Sequence, residues 1–221
     1  CFRHYLKASD LAKRMKEEDY QLFVFDEMFK TSRIESVFVH DNPNAIVISY
    51  INCSAGVKEQ SDIICTSGNA LDIVKQISAE QEIIFCPDQN LGSWIIEQTG
   101  RDMILWNGYC WAHTQYKAEE LLALKRAFPN APLVCHPECP KAVRDTADCI
   151  CSTEKMISFC REHKSDKFII ATVVEMIHRL RREIPNKTFI AATASGRLSQ
   201  HCKNMLMNTP EKLLACLENL E

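Results

Sequence analysis

One block of this sequence is written twice. Asn44-Ala45-Ile46-Val47-Ile48-Ser49-Tyr50-Ile51-Asn52-Cys53 is answered 86 positions later by Asn130-Ala131-Pro132-Leu133-Val134-Cys135-His136-Pro137-Glu138-Cys139. Without a gap, the same register pairs Asp62 with Asp148, Cys65 with Cys151, Thr66 with Ser152, Ser67 with Thr153 and Ile83-Ile84 with Ile169-Ile170. Self-similarity at a fixed spacing makes each copy a structural unit of one shape. Positions where the copies differ, Tyr-x-Asn against His-x-Glu, are then where chemistry is expected.

Each copy alternates apolar strands with short helices. The first predicts strands over 45–50, 63–66, 82–86 and 103–106, with helices over 55–61, 70–77 and 92–99 between them. The second predicts strands over 132–136, 149–151, 167–171 and 188–192, with helices over 139–146, 154–162 and 174–183. The strands are continuous apolar runs rather than alternating ones, the pattern of a parallel sheet covered on both faces. Right-handed crossovers then give each copy a small three-layer α/β sandwich. After Thr209, a good N-cap, and Pro210 at the first helical position, the tail reads as a helix. Ahead of the repeat, Ser9 opens a charged helix, and 20–42 carries an apolar segment without a counterpart in the second copy, read as an insertion.

Bulk properties narrow the function. A net charge of −3 over 221 residues gives no electrostatic basis for binding nucleic acid or an anionic membrane surface. The apolar runs are too short to cross a bilayer, and the first residues lack the apolar core of a signal peptide. Twelve irregularly spaced cysteines, none in a Cys-x-x-Cys pair, read mostly as buried thiols of a reduced, cytoplasmic protein, with a plastid or other organelle as the alternative.

Candidate chemistry gathers at the carboxyl ends of the predicted strands, where α/β units bind ligands. Tyr50 and Asn52, then Ser67, then Asp88 stand there in the first copy; His136 and Glu138, then Ser152 and Thr153, then Thr172, in the second. His136 and Glu138, two residues apart on an extended segment, suit general acid–base work. Hydroxyls at a strand-to-helix turn suit a phosphate or carboxylate, and equally plain helix capping. Cys110 and His113 suit either a nucleophile with its base or a metal ligand beside a substrate contact.

Several longer runs carry a resemblance to quinolinate synthase: Asp88-Gln89-Asn90-Leu91-Gly92, Gln98-Thr99-Gly100, residues 104–113, His136-Pro137-Glu138-Cys139, Ile177-His178-Arg179-Leu180 and Cys202-Lys203-Asn204-Met205. It covers the chain from Asn44 onward. The resemblance implies three pseudo-symmetric α/β domains around one [4Fe-4S] cluster, each contributing one cysteine. Here that means two complete units, 44–129 and 130–202, a remnant of a third in 1–43, and a C-terminal helix over 203–221. The implied reaction, of the EC 2.5.1 transferase type, condenses iminoaspartate with dihydroxyacetone phosphate to quinolinate, for NAD biosynthesis. L-aspartate oxidase or aspartate dehydrogenase is the implied functional partner. Carried over by position, the cluster ligands are Cys1, Cys110 and Cys202. Tyr50, Asn52, Ser67, His113, His136, Glu138, Ser152 and Thr153 are the substrate contacts, with Glu138, His136 and Tyr50 catalytic. The family's opening His/Tyr segment is absent, Cys151 replaces a usual glycine, and Val173 stands where a carboxylate is expected. A non-catalytic cluster- or metal-binding homologue is the alternative.

Overall fold

The structure, a computed structural model, describes residues 42–192 and 201–219. The opening helix, the 20–42 insertion up to residue 41, Cys1 and the loop 193–200 lie outside the described residues.

The first unit is built from β1 (Ile46–Tyr50), α1 (Ala55–Glu59), β2 (Ile63–Cys65), α2 (Ala70–Gln76), β3 (Ile83–Cys86), α3 (Gln89–Thr99) and β4 (Ile104–Leu105). A 3-10 turn (His113–Gln115) and α4 (Ala118–Ala127) lead to the second: β5 (Leu133–Cys135), α5 (Lys141–Arg144), β6 (Cys149–Ile150), α6 (Thr153–Glu162), β7 (Lys167–Ala171), α7 (Glu175–Glu183) and β8 (Thr188–Ala191). Two short helices, α8 (Lys203–Leu206) and α9 (Pro210–Asn219), follow. The helix expected after Thr209 is α9, with Thr209 Oγ1 accepting the Lys212 N–H as its cap should, at 3.3 Å, and residues 207–209 separate it from the short α8.

Both sheets are wholly parallel, and both have the same strand order, β2-β1-β3-β4 and β6-β5-β7-β8. Ile48 pairs with Ile63 and, 86 residues on, Val134 pairs with Cys149. Each sheet carries an apolar cluster on either face, so each unit is a three-layer α/β sandwich. Residues buried on both faces explain why β1 and β5 read as unbroken apolar runs.

The repeated aspartates have a shared physical role. Asp62 Oδ2 accepts the Val47 N–H at 2.8 Å while the Asp62 N–H donates to Val47 O at 3.0 Å. Asp148 does the same to Leu133, at 2.7 and 2.8 Å. This two-point clasp starts β2 against β1 and β6 against β5, satisfying strand-end groups that would otherwise be orphaned.

The helix α4 has no counterpart in the sequence reading, which ran the first unit to residue 129 but named no helix after the turn near Asn107. Its Leu121 packs with Tyr116 around Leu133 and Cys135, so the second unit's core draws on residues ahead of 130. The two units are joined by Arg144. Only 1% exposed, its guanidinium donates to Cys139 O (2.8 Å) in its own unit and to Asn90 O (3.0 Å), Ser93 Oγ (3.0 Å) and Glu97 Oε1 (2.9 Å) on α3.

Candidate active site

The carboxyl ends of β1 and β5 meet across the interface between the units. Tyr50 ends β1, and the turn after β5 carries His136, Pro137 and Glu138; Tyr50, His136 and Glu138 are all buried. The hydroxyl of Tyr50 donates to Glu138 Oε2 at 3.3 Å, and His136 Nδ1 stands 3.1 Å from the same oxygen. His113 Nδ1 is 3.5 Å from it. One carboxylate oxygen therefore faces a phenol and two imidazoles. The two rings stack, with centroids 4.6 Å apart and planes inclined by 19°.

Burial opposes the ionised form of Glu138, yet its hydrogen bonds with His136 and Tyr50 and the neighbouring imidazoles hold its carboxyl below the ordinary value. A carboxylate 3.1 Å from His136 Nδ1 requires a proton between them. That proton displaces the alternative in which the Glu138 N–H donates to Nδ1 at 3.3 Å. Burial pushes the Tyr50 phenol up, reinforced by the charge of Glu138, so Tyr50 remains a donor. His113 is driven the other way: burial, partly opposed by Glu138, lowers it to about 4, leaving a neutral ring at pH 7.

Local structure fixes these groups. Asp88 caps α3, accepting the Leu91 N–H on Oδ1 at 2.7 Å. Its other oxygen accepts the Cys110 N–H, also at 2.7 Å. Gly108 lets that loop close on the start of α3, because a Cβ there would fall 2.3 Å from Pro87 O. The 3-10 turn then delivers His113, whose Nδ1 lies 3.1 Å from Cys110 Sγ and whose Nε2 lies 3.0 Å from Thr172 Oγ1 at the end of β7. The backbone oxygen of Thr172 is in turn held by the Tyr116 hydroxyl.

The hydroxyl turns face one another. Ser67 Oγ is 3.2 Å from His136 Nε2, and a Cβ on Gly68 would be in ordinary contact with Ser152 Oγ at 3.5 Å. The sequence offered capping for both turns. Ser152 does cap α6, through the Lys155 N–H at 3.5 Å, whereas α2 starts after Asn69 and leaves Ser67 turned toward His136. Thr153 is the first residue of α6 and half-buried, and Asn52 is exposed at the rim.

Of the three expected cluster ligands, Cys110 and Cys202 are half-buried residues, and Cys1 lies outside the described residues. Burial and the charge of Glu138 push the Cys110 thiol well up. Cys139, matched in the repeat to Cys53, is a buried core thiol with Sγ 3.6 Å from Ala171 O. Beside Cys202, His201 Nδ1 meets Glu175 Oε1 at 2.5 Å. Sequence reasoning placed Asp88 and Thr172 at strand ends without a partner for either, and missed Arg144 altogether; their contacts span 22 to 59 residues, beyond any local pattern. No helix among the described residues is long and apolar enough to cross a membrane.

Comparison with known proteins bears on the same segments. The family described as quinolinate synthetase A protein matches residues 12–221. A quinolinate synthase of Gloeothece citriformis is 45% identical over 178 residues, and one of Trichodesmium erythraeum is 44% identical over 179; each match covers 80% of this chain and 55% of the relative. A quinolinate synthase of Prosthecochloris aestuarii is 44% identical over 184 residues, 83% of this chain and 57% of the relative. The chain thus spans little more than half the length of these curated relatives.

Proposed function

Since the chain belongs to the quinolinate synthetase A family, we propose that it carries the second and third α/β units of a quinolinate synthase, which condenses iminoaspartate with dihydroxyacetone phosphate. The observation that supports this most directly is the convergence of Tyr50, His113 and His136 on one oxygen of Glu138 from both units.

Glu138, held ionised by its partners, is the general base that takes a proton from the condensing substrates. His136 and Tyr50 share the oxygen that accepts it, so the proton can be passed on and returned to a leaving hydroxyl during dehydration. Neutral His113, braced by Thr172, offers a hydrogen bond without adding charge. Ser67, Ser152 and Thr153, with the N–H groups that open α6, suit the phosphate and carboxylates, and Asn52 orients substrate at the rim.

The donor chemistry fits a [4Fe-4S] cluster held by Cys1, Cys110 and Cys202. Cys110 is a half-buried residue at the edge of the acid–base group, and Cys202 adjoins His201, which is paired to the helix that follows Thr172. A cluster with three protein thiolates leaves one iron to supply Lewis acidity to a substrate oxygen or nitrogen.

The test is anaerobic purification with an iron and sulfide count, then a quinolinate assay with dihydroxyacetone phosphate and iminoaspartate generated by L-aspartate oxidase. Quinolinate formation that drops by about 10²–10⁴ in Glu138→Gln is the expected result. A cluster-loaded chain that makes no quinolinate would instead favour a non-catalytic cluster-binding homologue.

A further inference from the structure

Cys110, His113 and Glu138 bring a sulfur, a nitrogen and an oxygen within 4.8 Å of one another. We propose that in the cluster-free chain these three side chains bind a single divalent transition-metal ion, zinc being the ion that suits them best. The proposal shares Cys110 with the iron–sulfur reading but rests neither on the cluster nor on the proposed reaction.

The geometry is close to what such an ion requires. Zinc bonds of about 2.3 Å to sulfur and about 2.0–2.1 Å to nitrogen or oxygen, at tetrahedral angles, put ligand atoms about 3.3–3.6 Å apart. His113 Nδ1 lies 3.1 Å from Cys110 Sγ and 3.5 Å from Glu138 Oε2, so these two pairs need a shift of a few tenths of an ångström, and Cys110 and Glu138, whose ligand atoms lie within 4.8 Å, close by about an ångström at most. A thiolate, an imidazole and a carboxylate are the donors zinc takes in proteins, and three protein ligands leave a fourth position for water.

Charge argues the same way. One thiolate, one carboxylate and one neutral imidazole carry two negative charges, which a divalent ion neutralises in a site where His113 and Glu138 are only 5% and 4% exposed. Binding releases one proton, from the Cys110 thiol, to solvent. The outer contacts are those of a metal site as well. His113 Nε2 lies 3.0 Å from Thr172 Oγ1, and in the metal-bound form the Nε2–H donates there, which leaves the Nδ1 lone pair for the ion. Glu138 is steadied by Tyr50 at 3.3 Å. Cys110, partly exposed, leaves the ion a way in. Because Cys110 is also the proposed cluster ligand, ion and cluster exclude one another there.

Anaerobic titration of the metal-free chain with Co²⁺, followed by displacement with Zn²⁺, tests the site. One Co²⁺ per chain is expected, with thiolate-to-cobalt charge transfer and the intense visible bands of four-coordination, both lost on adding Zn²⁺. Cys110→Ser should lose the charge transfer, and His113→Gln and Glu138→Gln should bind at least tenfold more weakly. Thr172→Val, which leaves all three ligands in place, should weaken binding by about 10–100-fold. Cys202→Ser and Cys139→Ser should bind as the parent chain does. Charge transfer that survives in Cys110→Ser, or that vanishes in Cys202→Ser, overturns the assignment. X-ray absorption of the cobalt-loaded parent chain decides the matter without a mutation: one sulfur among nitrogen and oxygen neighbours supports the site, and two or more sulfurs refute it.

Discussion

Replacing Arg144 by methionine isolates the contact that joins the two units. The substitution keeps most of the side chain's length but removes every donor of a guanidinium that is 1% exposed. It strands Cys139 O, which now accepts at 2.8 Å, takes one of two donors from Asn90 O, which keeps the Ser93 hydroxyl at 2.9 Å, and uncouples Glu97, which accepts at 2.9 Å. A carbonyl left buried without a donor costs about 1–3 kcal/mol. The loss is offset in part because methionine need not be desolvated as a charge and has no counterpart to Arg144 Nε, a buried donor without a partner. A net loss of about 3 kcal/mol follows, at the lower end of what breaking a buried ion pair costs.

Glu97→Gln supplies the control. Its carboxylate is 31% exposed, so water recovers much of the lost interaction and the cost stays below about 1 kcal/mol. Urea denaturation can separate these effects from a general softening, because Trp94, Trp106 and Trp111 all precede β5. Tryptophan fluorescence therefore follows the first unit, while far-UV circular dichroism follows both. The two transitions should coincide in the parent chain and separate in Arg144→Met as the units uncouple. The reasoning fails if Arg144→Met loses less than about 1 kcal/mol, or if Glu97→Gln costs as much.

Two further outcomes follow from the supports of the site. Gly108→Ala should displace the loop that carries Cys110, because its Cβ would meet Pro87 O at 2.3 Å; a loss of about 1–3 kcal/mol and weaker Co²⁺ binding are expected, read by melting and cobalt titration. Asp148 is pushed up by partial burial but held lower overall by Lys125 and the Leu133 N–H, so the folded chain binds this proton less readily than the unfolded one. Its contribution is present above the ordinary aspartate value, about pH 4, and is lost as pH falls through the depressed one. Asp148→Asn should lower the urea midpoint at pH 7 and flatten its decline below about pH 4.

What the sequence could reveal depended on how far each interaction reaches along the chain. Strands that are buried on both faces announce themselves as apolar runs, and the repeat fixes their order twice over, so both parallel sheets were readable. The helix α4 was not, although Leu121 and Leu124 lie on a helical spacing, because it falls in the stretch between the matched blocks. The aspartate clasp was visible only as an unexplained identity, Asp62 with Asp148. Its reason is a backbone N–H 15 residues away that no local rule points to.

At the site the same limit separates the residues from their roles. The carboxyl ends of β1 and β5 could be named from the copies, and so could the difference between Tyr-x-Asn and His-x-Glu. That difference has a physical consequence only when the units are joined: Tyr50 crosses to Glu138 over a separation of 88 residues, and His136 crosses back to Ser67 over 69. Equivalent positions in the two copies thus serve one carboxylate rather than two parallel sites. Had both copies kept a tyrosine, Glu138 would lack the stacked pair of imidazoles that now surrounds it. Had both kept His-x-Glu, position 50 would lose the phenol that donates to Glu138 Oε2, and position 52, now an exposed asparagine, would add a third carboxylate at the rim of a site that already holds Asp88 and Glu138, whose charges oppose one another. The divergence of the copies is what gives Glu138 a phenol from one unit and an imidazole from the other.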